Sequence, residues 1–342
     1  KRLFPVAFSV MLVISIASIL WLPKIQWDHT VKEAFATALY FENWQLARNA
    51  VDYLAQNNEA SPYQHFWAMS VQGQFYIIWP LLLAITIFFA NRVFKKSIRA
   101  SFLITLIITF TLSFSYSIYK TIDNQPWAYF DTFARVWEFS LGGIVALLIS
   151  RFSLNKFLSM ILGWLGLAAI IFCGIIVQVS TVFPGYAALW PTLSAVFIIL
   201  AGENGGAYGV HRLLSSKPLM KLGSISYAFY LLHWPILIFY FIFTGKEQVP
   251  LLDGLMMILV SIILSYLITT FVEKPIRKMH MPSTNWKTWA FVVTCMLPVL
   301  LIASFWADKV QHSNAELAFS VADDDYPGAM ALMTEKNITY PD

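Results

Sequence analysis

Charge is scarce in this sequence. Of its 342 residues, 12% are Asp, Glu, Lys or Arg and 58% are hydrophobic. A soluble domain carries about 25% charged residues. So few charges cannot cover a water-soluble body of this size, and the apolar excess needs lipid as its solvent. Cysteine is scarcer still. Cys173 and Cys295 both lie inside apolar runs, which excludes a disulfide framework and a cysteine metal site. Zinc-ligand spacing is absent. The glycines of "GENGGAYG" (202–209) lack the spacing and strand–helix context of a phosphate loop. No bound metal, permanent cofactor or nucleic-acid partner is expected. There is no charged–apolar–small leader pattern, and the first residue is Lys1. Both ends are expected to be cuts from a longer protein.

Apolar length is abundant. A membrane-spanning helix needs about 20 mainly apolar residues. Nine stretches qualify: 3–23, 66–90, 99–119, 128–150, 157–178, 186–202, 222–244, 251–273 and 287–306. The predicted fold is therefore an all-α, polytopic membrane bundle. Short loops rich in Lys and Arg stay in the cytoplasm. Fifteen of the 23 basic residues fall in segments 1–2, 92–99, 151–156, 212–221 and 274–287, so these are assigned to the inside. Segment 307–342 then lies outside, where its acidic "ADDDYPG" suits a linker. Segment 24–65, also outside, mixes aromatic and aliphatic residues with charges at helical spacing. It reads as an interfacial helix on the bilayer or as a lid over an outward-facing site.

Polar groups inside the spans carry the chemistry. "HFWAMSVQGQFYIIWP" (65–80) opens an oily segment with hydrogen-bonding side chains. At 100° per residue His65, Gln72 and Tyr76 share one face, and Trp67, Ser70 and Gln74 the opposite one. Unsatisfied polar groups in hydrocarbon cost several kcal/mol each. This helix is therefore enclosed by others, by interhelical hydrogen bonds or around a wet cavity. In "DTFARVWEFSLGG", Asp131, Arg135 and Glu138 sit at i, i+4 and i+7. They read either as a buried paired cluster or as a site where Arg135 holds an anionic group. In "KLGSISYAFYLLHWPIL", Ser226, Tyr230 and His233 share a face. Ser226 and His233 are about 10 Å apart along the axis, too far to be a hydrolase pair. "VEKPIRK" (272–278) reads as a topological anchor, with no further role for Glu273.

Five phrases resemble, in order, those of the membrane acyltransferase family 3, bacterial O-acyltransferases of cell-envelope glycans. "RLFP" (2–5) is similar to Arg-(Ile/Leu)-x-Pro. "HFWAMSVQGQFY" is similar to His-x-Trp-Ser-Leu-Ser-Val-Glu-x-Gln-Phe-Tyr, with Gln72 where many members have glutamate. "RVWEFSLGG", "LGSISYAFYLLHWP" and "VEKPIR" complete the set. The resemblance implies an acyltransferase domain over residues 1–280, an additional transmembrane helix at 281–306, and an extracytoplasmic linker at 307–342. That linker would lead to a fused SGNH domain beyond residue 342. It also implies eleven spans in the intact protein, the first two preceding Lys1 and carrying a relay histidine, a role given to no residue here.

On this resemblance Arg135, Glu138, His233 and His65 are the catalytic candidates. Arg2, Gln72, Gln74, Tyr76 and Tyr230 are the candidates for binding substrate or acyl donor. Acetyl-CoA, or another acyl-CoA, is the implied donor substrate. The acceptor is an extracytoplasmic glycan or glycolipid, peptidoglycan among them. The chain would sit in the bacterial cytoplasmic membrane with its C-terminal tail outside. The rival reading is a transporter or flippase whose path the same polar faces line, although no inverted repeat is evident.

Overall fold

The computed structural model describes residues 2–51, 59–90, 92, 97–151, 154–176, 182–204, 206, 208–246, 248–279 and 285–320. All regular structure among them is helical, as lipid requires of any span that is not a closed barrel. Among the described residues, eight helices are long and apolar enough to cross a membrane: Leu3–Trp21, Gln64–Phe89, Ile98–Asp123, Lys156–Ile176, Tyr186–Glu203, Lys217–Thr244, Leu251–Lys278 and Trp286–His312. Each coincides with an expected span.

The ninth expected span, 128–150, is not one helix. It divides into α6 (Gln125–Phe130) and α7 (Val136–Leu148). Asp131 causes the break. Its Oδ1 accepts the Phe133 N–H at 2.8 Å, a side-chain turn that competes with the helical ladder. Its Oδ2 accepts the Tyr116 hydroxyl at 2.8 Å and the Trp127 indole N–H at 3.3 Å. Asp131, Arg135 and Glu138 therefore do not share a helix face.

Segment 24–65 was expected as an interfacial helix or a lid; its described residues form two α-helices, the first packed into the core. α1 (Leu3–Trp21) ends at Leu22, and Pro23 follows. The chain then turns back as α2 (Trp27–Ala38), reverses again, and leaves as α3 (Glu42–Val51). The Trp27 indole donates to Leu22 O at 3.0 Å at one end of α1. Tyr40, at the tip, stacks on Phe4 at the other end, with centroids 5.5 Å apart. α2 thus runs antiparallel to α1 as a re-entrant hairpin, ~18 Å deep at 1.5 Å per residue.

The tip needs two local features. Tyr40 has φ +62°, a left-handed conformation uncommon outside glycine. Its ring occupies the space left by Gly73, where a Cβ would lie 2.1 Å from Tyr40 Cδ1.

The remaining elements are α4 (Trp67–Phe89), α5 (Ile98–Asp123), α8 (Lys156–Ile176), α9 (Leu189–Glu203), α10 (Val210–Leu214), α11 (Lys217–Thr244), α12 (Leu251–Ile268), α13 (Lys274–Lys278) and α14 (Asn285–Ser320). α8 packs along α9, α5 along α7, and α11 along α12. The central core gathers α1, α2, α11 and α14 around Val10, Met11, Ala34, Leu231 and Trp306. α14 packs on α1 and α2 and continues past the expected span end at 306 as far as Ser320. The rest of the expected linker, 321–342, lies outside the described residues.

Candidate active site

Arg135 is the N-cap of α7 and is 95% shielded, at 5% exposure. Its guanidinium carbon lies 4.7 Å from the Phe183 ring centroid and 5.4 Å from those of Trp67 and Tyr129. Aromatic faces attract a desolvated cation by up to about 2 kcal/mol each. Nη1 donates to Glu138 at 3.0 Å and Nη2 to Tyr129 O at 3.1 Å. The Nε–H is buried without a hydrogen-bond partner. The result is a fixed positive charge with a donor in reserve.

The histidines meet beside this cage. His65 belongs to a 3-10 turn, Gln64–Phe66, just ahead of α4. Its Nε2 donates to Leu231 O at 3.2 Å. That carbonyl is free because Pro235, four residues on, has no N–H to give it. A proline thus opens a helix carbonyl and a histidine from another segment fills it. The bond fixes the proton on Nε2 and leaves Nδ1, which is buried without a partner, as an acceptor.

His233 has the reverse arrangement. Its Nδ1 donates to Tyr230 O at 2.7 Å, leaving Nε2 to accept. The two imidazole centroids are 5.8 Å apart. The Tyr230 hydroxyl donates to His65 O, and the Trp234 indole donates to Ser61 O at 2.9 Å. Trp67, two residues beyond His65, is a wall of the arginine cage, so one short segment joins both clusters.

The structure therefore brings together Arg135, Glu138, His65, His233 and Tyr230. It places the other candidates elsewhere. Gln74 donates to Tyr40 O and Asn43 Oδ1, each at 2.9 Å, and accepts from Thr132 Oγ1 at 2.6 Å. Those bonds lock the hairpin tip to α4. Gln72 and Tyr76 are exposed on α4, with Tyr76 in electrostatic reach of Tyr40 and Tyr227. The predicted common face of His65, Gln72 and Tyr76 does not form, because the α-helix begins only at Trp67 and the 100° phase does not extend back to His65.

Arg2 lies at the opposite end of α1. Its Nε is 3.1 Å from Glu273, a carboxylate only 3% exposed that Arg277 also approaches at 3.6 Å. Glu273 is thus more than a topological marker. At the same end, the Tyr227 hydroxyl donates to Leu3 O at 3.3 Å, one turn along α11 from Tyr230.

Sequence reasoning passed over several residues here: Trp67, Tyr129 and Phe183 of the cage, Tyr227, and the buried acids Glu33 and Glu42 on the hairpin. Glu33 accepts from the Ser61 hydroxyl. Burial pushes its carboxyl up to about 7 and that of Glu42 well above the usual carboxylate range. Two acids within the aliphatic run "VKEAFATALYFENW" were the available signal. Among the described residues no cluster of His, Cys, Asp and Glu could hold a metal ion.

The O-acetyltransferase OatA of Staphylococcus aureus strain NCTC 8325 / PS 47 is 26% identical over 317 residues, covering 89% of this chain and 51% of OatA. A provisionally named O-acetyltransferase of S. aureus strain COL is 26% identical over 322 residues, covering 88% of this chain and 52% of its own. The chain thus spans about half the length of these curated relatives. No solved structure matches it. The family model described as an acyltransferase domain matches residues 1–270. That range takes in the hairpin, the arginine cage and the histidine pair alike, and this chain belongs to the acyltransferase domain family.

Proposed function

We propose that this chain is the membrane part of an O-acetyltransferase. It moves an acetyl group from cytoplasmic acyl-CoA to a hydroxyl on an extracytoplasmic cell-envelope glycan or glycolipid. One observation carries the reading. A caged arginine with an unpartnered donor and two tautomerically fixed histidines lie on one patch, between an end marked by Arg2 and Glu273 and an end where the hairpin enters. The relatives' O-acetyltransferase names support it, and the excess of basic residues near Arg2 supports a cytoplasmic position for that end.

In this reading acyl-CoA docks at the Arg2 end and its thioester carbonyl reaches the patch. Negative charge develops on the carbonyl oxygen during attack, and Arg135 holds it through Nε–H, with Glu138 fixing the guanidinium. The free Nε2 of His233 accepts a hydrogen bond from the groups that gather there, and His65 and Tyr230 hold its surroundings. Any SGNH domain beyond residue 342 would receive the acetyl group or present the acceptor.

The test uses the full-length protein in vesicles, supplied with radiolabelled acetyl-CoA and envelope glycan. Label should pass to the glycan, and Arg135→Ala should abolish transfer while the protein stays folded. Full transfer by folded Arg135→Ala would remove the arginine from the mechanism. No label transfer under any donor and acceptor condition would end the enzyme reading.

A further inference from the structure

A cavity of about 260 Å³ opens where the hairpin joins the rest of the bundle, walled by His29, Glu33, Glu59, Ser61, Gln64 and Phe130. At about 30 Å³ per water, it holds some nine waters' worth of space, the scale of one sugar ring. Its walls are mostly hydrogen-bond acceptors and donors, with Phe130 offering an apolar face. It borders the arginine–histidine patch directly. Gln64 precedes His65, the Ser61 carbonyl accepts from Trp234, and Phe130 packs edge-on against Trp67 with centroids 5.5 Å apart.

Glu33 forms part of the cavity wall, and its carboxyl is bonded to the Ser61 hydroxyl. Behind it lies Glu42, fully buried, with the Glu33 carboxyl and the Thr37 hydroxyl as its polar neighbours. The other ionisable groups around the pair are His29 and Glu59 in the cavity and Tyr63 behind Glu42. Two carboxyl groups this close and this dry do not both ionise. Glu42 stays protonated, and Glu33 is the one that can lose its proton to the cavity.

We propose that this cavity seats the acceptor hydroxyl and that Glu33 is the general base that takes its proton, with Glu42 as the positioning residue behind it. The inference rests on the acetyl-transfer reading. The acceptor O–H bond breaks and its proton passes to Glu33. The oxygen forms a bond to the acyl carbon, and the C–S bond of the thioester breaks with its electron pair leaving on sulfur. The thiolate takes a proton from water at its own end, and Glu33 returns one to water at the cavity mouth.

The experiment measures acetyl transfer against pH in full-length wild type, E33Q, E33D, E42A and S61A. A hydrophobic carbodiimide, which labels protonated carboxyls in dry sites, is mapped in parallel by mass spectrometry. General-base loss should lower E33Q transfer by about 10²–10⁴-fold, with partial rescue in E33D. E42A and S61A each remove a group that favours the ionised Glu33, so the pH at which transfer half-rises should move upward. Carbodiimide should label Glu33 in wild type, less so as pH rises. Wild-type transfer with E33Q within twofold and unmoved profiles in E42A and S61A would overturn the inference and leave the transfer reading standing. Wild type inactive on every acceptor would sink the transfer reading, and this inference with it, whatever the labelling shows. If E33Q does not fold, the E42A and S61A profiles decide.

Discussion

Pro235→Ala should make the protein more stable and less active. Alanine restores an N–H at position 235, and that N–H bonds to Leu231 O, the carbonyl now held by His65 at 3.2 Å. Proline inside a helix costs about 3 kcal/mol relative to alanine. The lost His65 bond is worth about 0.5–1.5 kcal/mol. The balance favours the variant by roughly 1.5 kcal/mol or more, which raises the thermal midpoint by about 2 °C or more for a chain of this size. Displaced from Leu231, His65 loses its fixed tautomer and its place beside His233. If the lost bond is felt fully in the transition state, transfer falls by up to about tenfold. Two measurements check this. Nitrogen-15 spectra of histidine-labelled protein report the tautomer of His65 among the six histidines, and a thermal scan reports stability. A variant with unchanged His65 signals and unchanged transfer, or one that is destabilised, refutes the link between Pro235 and His65.

Three further outcomes follow from the geometry. Arg135→Lys keeps the charge but loses the split between Glu138 and Tyr129 O and the flat fit among three rings. Initial transfer rates should fall about 10²-fold or more, and an unchanged rate would mean that Arg135 holds no developing charge. Gly73→Ala drives a methyl into the Tyr40 ring, 2.1 Å from Cδ1; denaturation should show a loss of about 1–3 kcal/mol, and a neutral result would mean that the ring is loosely held. Stability should also depend on pH through Glu33. Its carboxyl is raised from 4.5 to about 7 when folded, so the folded state keeps a proton that the unfolded chain has lost. Stability is then highest at and below pH 4.5 and declines as pH rises toward 7. The thermal midpoint of Glu33→Gln should fall less steeply across that window, and equal slopes would count against the assignment.

The spans were legible because lipid demands long apolar runs, and eight expected runs became helices. Residues 128–150 were misread because Asp131 spends its carboxylate on a turn, and composition does not reveal where a short polar side chain will bond. Segment 24–65 was harder. Acids among aliphatics at helical spacing describe a surface helix and a buried hairpin equally well. Only the contact of Tyr40 with Gly73 and Phe4, residues distant in sequence, separates the two. The patch was partly legible: Arg135, His65, His233 and Tyr230 stand in recognisable phrases. Gln72 and Tyr76 stand in the same phrase as His65 but do not share its face, because the turn before α4 breaks the helical phase.

The hairpin gives α1 a second connection between its ends. Trp27 bonds Leu22 O at one end and Tyr40 rests on Phe4 at the other, with α2 spanning the distance between them. A tilt of α1 would therefore carry α2 with it, and with α2 the wall of the cavity that Glu33 lines.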